Sequence, residues 1–457
     1  MNTNPIIKLL VDIASTPAIL VSLIALLGLV LQKKGTADTI KGVVKTFIGF
    51  LVLSAGADVV VGSLSPFGAM FEHAFNVQGV VPNNEAVIAI ALKDYGTDTA
   101  IIMFLGMVFN MVFARFTKFK HIFLTGHHTL YMACMIAVIL AVPAIGFTGI
   151  PLYLVGGLIL ALVMSLSPYF LQPFMKKITG TDSVGLGHFS GATYWLSAVV
   201  GKLVNPKGEK VTSTEDVNFP KSLAFLRDST VSIALTMMVI YIIVALAAGP
   251  AWVEETYSGG VNAVIFAFTQ GGKFAAGVYV ILAGVRLILA EIVPAFKGIS
   301  EKLVPNAIPA LDCPVVFPYA PNAVLIGFFS SFLGGIVSML IMGAMGTTII
   351  LPGVVPHFFV GATAGVFGNS TGGLKGALLG SFANGVAISF LPLWMMPLMG
   401  SLGNAGSTFS DADFTLVGIL FGNLGLSAGQ IGVIGGVVVI VALMFAATFM
   451  GKSKNKA

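Results

Sequence analysis

Long apolar runs recur along nearly the whole chain and constrain its fold more than any other feature. A helix needs about 20 apolar residues to cross a bilayer, and several runs reach that length. Soluble domains carry about 25% charged residues, whereas this chain of 457 residues carries 9%, is 56% hydrophobic and has a mean hydropathy of +0.97. The sequence therefore predicts an all-α polytopic membrane protein.

The apolar runs predict 9 to 11 transmembrane helices, give or take one because several segments are glycine-rich. We place the runs at residues 16–31, 45–64, 97–113, 122–145, 152–171, 231–247, 261–289, 324–345, 353–366, 376–398 and 432–450. The first run follows a start without a cleavage pattern, so we interpret it as a retained span rather than a signal peptide.

Basic residues predict the orientation of the chain, because short cytoplasmic loops are enriched in Lys and Arg. Lys33 and Lys34 follow the first run, and Arg115 and Lys118 follow the third. These loops and the basic tail GKSKNKA are expected in the cytoplasm, which places the N-terminus outside. The net charge of +5 fits such loops and gives no reason to expect a nucleic-acid partner.

A proline-rich polar stretch, residues 290–323, lies between apolar runs and differs from them in composition. It reads AEIVPAFKGISEKLVPNAIPALDCPVVFPYAPNA and contains six prolines and five charges. Proline disrupts helix interiors, and irregular backbone at membrane depth occurs where it is buried in protein or lines a wet cavity. We predict a re-entrant hairpin at about 291–322 that carries a substrate site; an exposed loop is the alternative.

A second irregular stretch, residues 65–94, has the same character. It contains Glu72, Asn83, Asn84 and Glu85, followed by about seven apolar residues, too few for a spanning helix. We predict a first re-entrant hairpin at about 65–95 with its polar tip at residues 82–85. An external loop is again the alternative.

The two hairpins fall at matching places in a weak internal repeat. Residues 49–60 (GFLVLSAGADVV) resemble residues 282–293 (LAGVRLILAEIV), and FLTGHHTLY at Phe123 resembles FFVGATAGVF at Phe358. The charge pattern orients the two copies oppositely, as in inverted-topology transporters. We divide the chain into a first repeat at 1–202, a cytoplasmic amphipathic linker at 203–229, a second repeat at 230–425, and a last span with a basic tail at 426–457.

Four polar residues stand out as candidates for contacting a hydroxylated solute. His127 and Tyr131 are spaced to share one helix face, and a neutral imidazole can both donate and accept. His188 lies among glycines in GLGHFSG, and Asp312 lies between prolines in ALDCP. A carboxylate forms strong hydrogen bonds to hydroxyls; the alternative role of Asp312 is a helix N-cap.

Catalytic and nucleotide-binding motifs do not occur in the sequence. The GKS at Gly451 lacks the upstream glycine of a phosphate-binding loop, and no HExxH or GxSxG is present. Cys134 and Cys313 are far apart in apolar sequence and predict neither a disulfide nor a metal site. We therefore expect no cofactor, no metal and no self-contained catalytic site, and transport energy must come from an ion gradient or a partner protein.

The segments LTGHHTLYM, GLGHFSG, AEIVPAFKGISEKLVPNAIPALDCP and YAPNAV resemble a known family. It is that of the ascorbate-type permeases of the bacterial phosphoenolpyruvate-dependent phosphotransferase system, the membrane IIC component. The resemblance covers nearly the whole chain. It implies a homodimer in the inner membrane, with 11 spans per protomer, a core domain with two sugar-holding hairpins, and a V-shaped dimerisation domain.

The same resemblance implies an elevator-type movement of L-ascorbate or a related solute inward. A separate cytoplasmic IIB protein, supplied with phosphate by IIA, then phosphorylates the solute through a phosphocysteine. Cys134 and Cys313 of this chain need no role in phosphate transfer. The expected partners are thus the sugar, IIB and IIA, a second copy of the chain, and membrane lipid.

The resemblance also implies a set of substrate-binding positions. Carried over, they are Asn84, Glu85, His127, His128, Thr129, Leu130, Tyr131, His188, Phe189 and Asp312. The ascorbate pattern has Thr-Tyr at the hairpin tip, where this chain has Asn84-Glu85, and Gln at the positions of Tyr131 and Phe189. A carboxylate near anionic ascorbate is repulsive unless it is protonated or paired, so a neutral pentose, hexose or sugar alcohol is an alternative substrate.

Two other functions remain open from the sequence. One is a gradient-driven symporter of similar fold, in which Asp312 or Glu85 carries a proton. The other is a membrane receptor or scaffold, for which the sequence offers no positive feature.

Overall fold

The computed structural model describes residues 17–76, 78–209, 211–216 and 229–454 and is 81% helical. Within these ranges seven helices are long and apolar enough to span a membrane. Ile233–Ala248 and Pro250–Ser258 form a pair bent by 106°, which makes an eighth if it is one span. The prediction of an all-α polytopic membrane protein is confirmed at this level, and the count of about 11 spans stays a prediction.

The first half of the chain contributes six helices and three short strands to the described structure. They are α1 (Pro17–Leu31), α2 (Thr36–Phe75), β1 (Gly79–Pro82), α3 (Asn84–Phe116), β2 (His121–Phe123), α4 (Gly126–Ala141), α5 (Gly149–Thr179), β3 (Gly185–Leu186) and α6 (Gly191–Val204). A short turn at Thr214–Asp216 follows.

The second half contributes five helices and three short strands to the described structure. It comprises α7 (Ser229–Ala248), α8 (Ala263–Leu303), β4 (Ile308–Leu311), α9 (Pro321–Met345), β5 (Ile349–Ile350), α10 (Ala362–Met395), β6 (Ser407–Thr408) and α11 (Ala412–Lys454). Short helical turns lie at Pro250–Val253, Glu254–Ser258, Cys313–Tyr319, Val354–Pro356, His357–Gly361, Met396–Leu398 and Gly400–Asn404. Helix α10 is interrupted at Gly373 and α11 at Ala428 and Gly429, where the backbone is not helical.

The six strands form two small parallel sheets, which the sequence analysis did not predict. In one sheet β1 lies between β5 and β6, and in the other β4 lies between β2 and β3. Each sheet thus joins a central strand from one half of the chain to two strands from the other half. Strands of two to four residues are too short to show an alternating pattern, and pairing across the halves leaves no local trace.

Helices α2 and α8 cross at close range because glycines lie at their contact. A Cβ built on Gly284 would lie 2.5 Å from the Gly49 carbonyl oxygen and 2.5 Å from the Leu53 nitrogen. Small residues allow such backbone approach in membrane helix pairs. Helix α1 packs beside α2 and α7 beside α8, so these four helices form one packed group.

The first irregular stretch is shorter in the structure than the sequence predicted. Residues 65–75 continue α2 through Pro66, and α3 begins at Asn84 and runs unbroken for 33 residues. The helices are therefore interrupted only between Phe75 and Asn84, where β1 lies, rather than over 65–95. That this stretch and the second one are re-entrant hairpins stays a prediction. Lys93 does not interrupt α3 because it lies half-exposed and forms an ion pair with Asp58 at 2.8 Å.

The second predicted hairpin also begins later than expected. Helix α8 passes Pro294 and ends at Leu303, so the polar stretch is helical in its first part and irregular only after that residue. A proline removes one backbone donor, and a helix of 41 residues continues through that loss. The polar turn, strand β4 and the turn at Cys313–Tyr319 then lead into α9.

Some predictions fall outside the described residues. They are the structure of residues 1–16, of residues 210 and 217–228 in the amphipathic linker, and of residues 455–457 in the basic tail. The division into two inverted repeats and the side of the membrane on which each terminus lies stay predictions.

Replacing Asn83 by Ala is expected to lower the free energy of unfolding by about 1 kcal/mol. The Asn83 side-chain oxygen accepts a hydrogen bond from the Ala86 N–H at 2.8 Å and so caps the start of α3. Thermal melting of the purified protein measures the change, and Asn83→Asp, which keeps the accepting oxygen, is the matched control. Equal melting of Asn83→Ala and the parent protein would contradict the capping role.

Candidate functional site

The carboxyl ends of all six described strands open onto one cavity. Residues within five positions after the end of each strand line it: Asn84 and Glu85 after β1, Leu124 to His128 after β2, His188 after β3, Asp312 after β4, Val355 after β5, and Asp411 after β6. Parallel strands end at a common edge, and ligands of parallel sheets bind at that edge. The short sheets therefore bring residues from distant parts of the sequence to one place.

The cavity has a volume of about 690 Å³, within the range of small-molecule sites. One wall consists of the strand ends just described. The opposite wall comes from α7 and α8 through Ile233, Leu282, Val285, Arg286 and Ala290. The cavity thus lies between the group of α1, α2, α7 and α8 and the rest of the molecule.

Asp411 is the centre of a buried polar cluster. Its Oδ1 accepts hydrogen bonds from Asn84 Nδ2 at 3.0 Å and Ser410 Oγ at 2.8 Å. Its Oδ2 lies 3.9 Å from Nε2 of both His128 and His188. Hydrogen bonds on one oxygen hold the carboxyl in place while the other faces two imidazoles.

Asp312 faces His127 and His188, and its side chain is about one-third exposed. Its Oδ2 is 3.5 Å from His127 Nε2, and its Oδ1 is 4.0 Å from His188 Nε2. Oδ1 also accepts the Cys313 N–H at 2.7 Å. Asp312 therefore caps a short helical turn and faces the cavity, so both roles considered for it are compatible.

Three buried oxygens of lining residues have no hydrogen-bond partner among the described residues. They are Glu85 Oε2, the Thr125 hydroxyl and the Tyr131 hydroxyl. A buried polar atom without a partner costs free energy, and a bound solute with hydroxyl groups supplies both a donor for Glu85 and an acceptor for Tyr131. Glu85 Oε2 and the Tyr131 hydroxyl indicate where a hydroxylated ligand would bind.

Ring nitrogens in the cavity are arranged to donate hydrogen bonds. The Phe189 N–H donates to His128 Nδ1 at 3.3 Å, so a neutral His128 carries its proton on Nε2. His188 Nδ1 lies 2.7 Å from the Tyr194 hydroxyl, which orients that ring. The His128 and His188 rings are 3.9 Å apart between centroids, too close for both to be charged favourably.

The same hydrogen bond bears on metal binding. Three groups of side chains bring ligand atoms within 4.8 Å of each other: His127, His128 and Asp312; His128, His188 and Asp411; and His188, Asp312 and Cys313. Two of these groups include His128, whose Nε2 proton leaves no lone pair for a metal. We assign no metal role to these two groups.

Seven of the ten predicted site residues line the cavity, and three do not. Thr129, Leu130 and Phe189 are buried beside it. The Thr129 hydroxyl donates to the Thr125 carbonyl within α4, and the Phe189 ring stacks on Phe123 at 4.3 Å. Helix geometry turns the Thr129 and Leu130 side chains into the protein interior.

The sequence analysis missed Ser410, Asp411 and Arg286 as lining residues. The motif FSDADF holds two carboxyls between apolar runs, which is a signal for a functional site in a membrane protein. Its second carboxyl, Asp413, lies outside the cavity and accepts hydrogen bonds from the Gly191 and Ala192 N–H groups at the start of α6. Only the fold separates the two roles.

Replacing Tyr131 by Phe is expected to leave thermal stability nearly unchanged and to weaken solute binding by about two- to tenfold, since a neutral hydrogen bond contributes about 0.5–1.5 kcal/mol. The hydroxyl has no protein partner among the described residues, so the unliganded protein loses nothing. Melting and titration calorimetry measure the two effects. A destabilised variant with unchanged affinity would show that the hydroxyl serves the fold instead.

A polar cavity between packed groups of apolar helices is typical of a membrane permease. Over residues 12–413 the chain matches the EIIC-GAT family, described as the sugar-specific permease component of the phosphotransferase system. The match covers most of the chain, which therefore belongs to this family. The resemblance found in the sequence is thereby confirmed.

A curated relative is the ascorbate-specific phosphotransferase system EIIC component of Mycoplasma pneumoniae (strain ATCC 29342 / M129 / Subtype 1). The two proteins are 28% identical over 415 residues, which cover 79% of this chain and 62% of the relative. The chain thus spans less than two thirds of the relative's length.

Proposed function

We propose that this chain is the membrane IIC component of a bacterial phosphotransferase system, which moves L-ascorbate or a related small polyhydroxylated solute into the cell. The observation that carries this proposal is the cavity. There Glu85 Oε2 and the Tyr131 hydroxyl have no partner among the described residues, and three imidazoles and two further carboxyls line the same space. A cavity that offers both hydrogen-bond donors and acceptors suits a ligand with hydroxyl groups, because each hydroxyl can donate and accept. Family membership supports phosphorylation by a separate IIB protein, supplied by IIA.

The proposed mechanism is an elevator-type movement within a homodimer in the inner membrane, with the N-terminus outside and the C-terminus in the cytoplasm. It is supported by the position of the cavity between two groups of helices, one of which contains α1, α2, α7 and α8. The two sheets are built in the same way, since each has its central strand from one half of the chain and its outer strands from the other half. This correspondence supports an inverted repeat. In this proposal the helix group with α2 and α8 is the V-shaped dimerisation domain.

Vesicles containing the purified chain test the coupling directly. With phosphoenolpyruvate, IIA and IIB inside, they are expected to accumulate phosphorylated solute, and without IIB they are expected to accumulate none. An inactive IIB in which the phosphorylated cysteine is replaced is the control. Uptake of unmodified solute without IIB, driven by a proton gradient, would contradict the proposal.

A proton-coupled symporter is the second candidate, and one observation favours it. Glu85 is a buried carboxyl whose Oε2 has no partner among the described residues, and such a group can exchange a proton with a bound solute. In the vesicle experiment a symporter would be driven by an imposed pH gradient, and Glu85→Gln would uncouple it. A pH gradient without effect excludes this candidate.

A further inference from the structure

The amino ends of helices and helical turns converge on the cavity. Helices α3, α4 and α11 and the turn at Cys313–Tyr319 all begin beside it. The first turn of a helix carries a partial positive charge and unpaired N–H groups, so converging amino ends ordinarily favour an anion. Considered from backbone geometry alone, the site would suit a negatively charged solute.

The chain's own carboxyls already occupy these positive ends. Glu85 lies in the first turn of α3, Asp411 directly precedes α11, and Asp312 caps the turn at Cys313. Only α4 begins without a carboxyl, and its first turn carries His127 and His128 instead. The positive helix ends therefore already face carboxyls of the protein. They offer less attraction to an anionic ligand than free helix ends would.

The charged residues that line the cavity also disfavour an anionic ligand. Of the described lining residues three carry carboxyls, Glu85, Asp312 and Asp411, whereas Arg286 alone carries a permanent positive charge. Asp411 and Glu85 are 2% and 7% exposed, so water screens them weakly. An anion that entered this cavity would face an excess of acidic groups.

We propose that Asp411 and Glu85 form a specificity-determining pair that makes the cavity select an uncharged polyhydroxylated solute and reject an organic anion such as ascorbate. The inference rests on the proposed transport function and narrows its substrate. Hydroxyl protons of the solute bond to three carboxylate oxygens, Glu85 Oε2, Asp411 Oδ2 and Asp312 Oδ2. Its hydroxyl oxygens accept from His128 Nε2–H and from the Tyr131 hydroxyl.

Neutral variants of the two carboxyls test the pair. Glu85→Gln and Asp411→Asn keep size and shape, and the Asn side-chain oxygen can still accept from Asn84 and Ser410. Asp182→Asn, which makes the same change at an exposed ion pair with Lys176, is the matched control. Melting of each unliganded variant shows that it is folded before binding is compared.

The full-length chain in nanodiscs is titrated with ascorbate and with a panel of hexitols, pentitols, hexoses and pentoses. The parent protein and Asp182→Asn are expected to bind at least one uncharged compound about tenfold or more tightly than ascorbate. Each cavity variant is expected to lower this preference about tenfold, in line with the strength of a charge-assisted hydrogen bond. Ascorbate bound as tightly as every panel member, no panel member bound, or an unchanged preference in both variants would overturn the proposal.

Vesicles with phosphoenolpyruvate, IIA and IIB separate this proposal from the function on which it rests. Phosphorylation of ascorbate in preference to every uncharged compound leaves the phosphotransferase function standing and overturns the selectivity. Selective binding of an uncharged compound without phosphorylation of any solute overturns the transport function and leaves the specificity of the cavity intact.

Discussion

Replacing Asp312 by Asn is expected to weaken solute binding about 10- to 100-fold, because a hydrogen bond to a charged group contributes about 1.5–3 kcal/mol. Asp312 Oδ2 faces the cavity 3.5 Å from His127, while Oδ1 accepts the Cys313 N–H. The Asn side chain keeps an oxygen that can accept from Cys313, so the turn stays capped. The substitution thus removes the charge at the cavity and retains the structural bond.

Two comparisons make the Asp312 result specific. Asp312→Ala removes both the charge and the cap, so it should bind as weakly as Asp312→Asn and melt at a lower temperature. Asp182→Asn, on an exposed carboxyl outside the cavity, should change neither property. Titration calorimetry with the solute identified in the panel measures affinity. If Asp312→Asn bound as tightly as the parent protein, Asp312 would be a cap alone.

Replacing Gly284 by Val should lower the apparent melting temperature by several degrees, because overpacking a close contact costs about 1–3 kcal/mol and often more where backbone is the obstacle. The atoms that a Cβ would meet are the Gly49 carbonyl oxygen and the Leu53 nitrogen, both at 2.5 Å. No rotamer change relieves a contact between a Cβ and backbone. Helices α2 and α8 must move apart along the contact that joins them.

Gly62→Val is the matched control for the Gly284 experiment. Gly62 also lies within a long helix, α2, but a Cβ there meets no described atom within 4 Å. Both substitutions carry the same change in intrinsic helix propensity, so the difference between them reports the helix crossing. Thermal melting of the purified protein in detergent measures it, and equal melting would show that α2 and α8 separate easily.

Local sequence patterns predicted the features of the fold that depend on the composition of single segments. The apolar runs indicated membrane helices, and the polar breaks near Asn84 and Asp312 indicated where the helices would be interrupted. The bounds of those breaks were wrong because Pro66 and Pro294 lie inside helices that continue past them. A proline signals a lost donor, but whether the helix survives depends on the packing of its neighbours.

In the candidate site, too, some residues could be predicted from the sequence and others could not. His127, His188 and Asp312 attracted notice because polar groups are rare in such a chain, and they lie around one cavity. Asp411 was missed although its motif carries the same signal. Thr129 and Phe189 were included with their segments, but the turn of the helix and the stacking on Phe123 direct them away from the cavity.

The sequence by itself determined the class of protein and the polar segments from which a site could be built, because the bilayer imposes its length and polarity on each span separately. Only the tertiary structure decided which of those segments meet. Strands of two to four residues pair between the two halves of the chain and bring Asp411 to Asn84, more than three hundred residues away. Such pairing depends on the packing of every helix between them, and no local pattern carries that information.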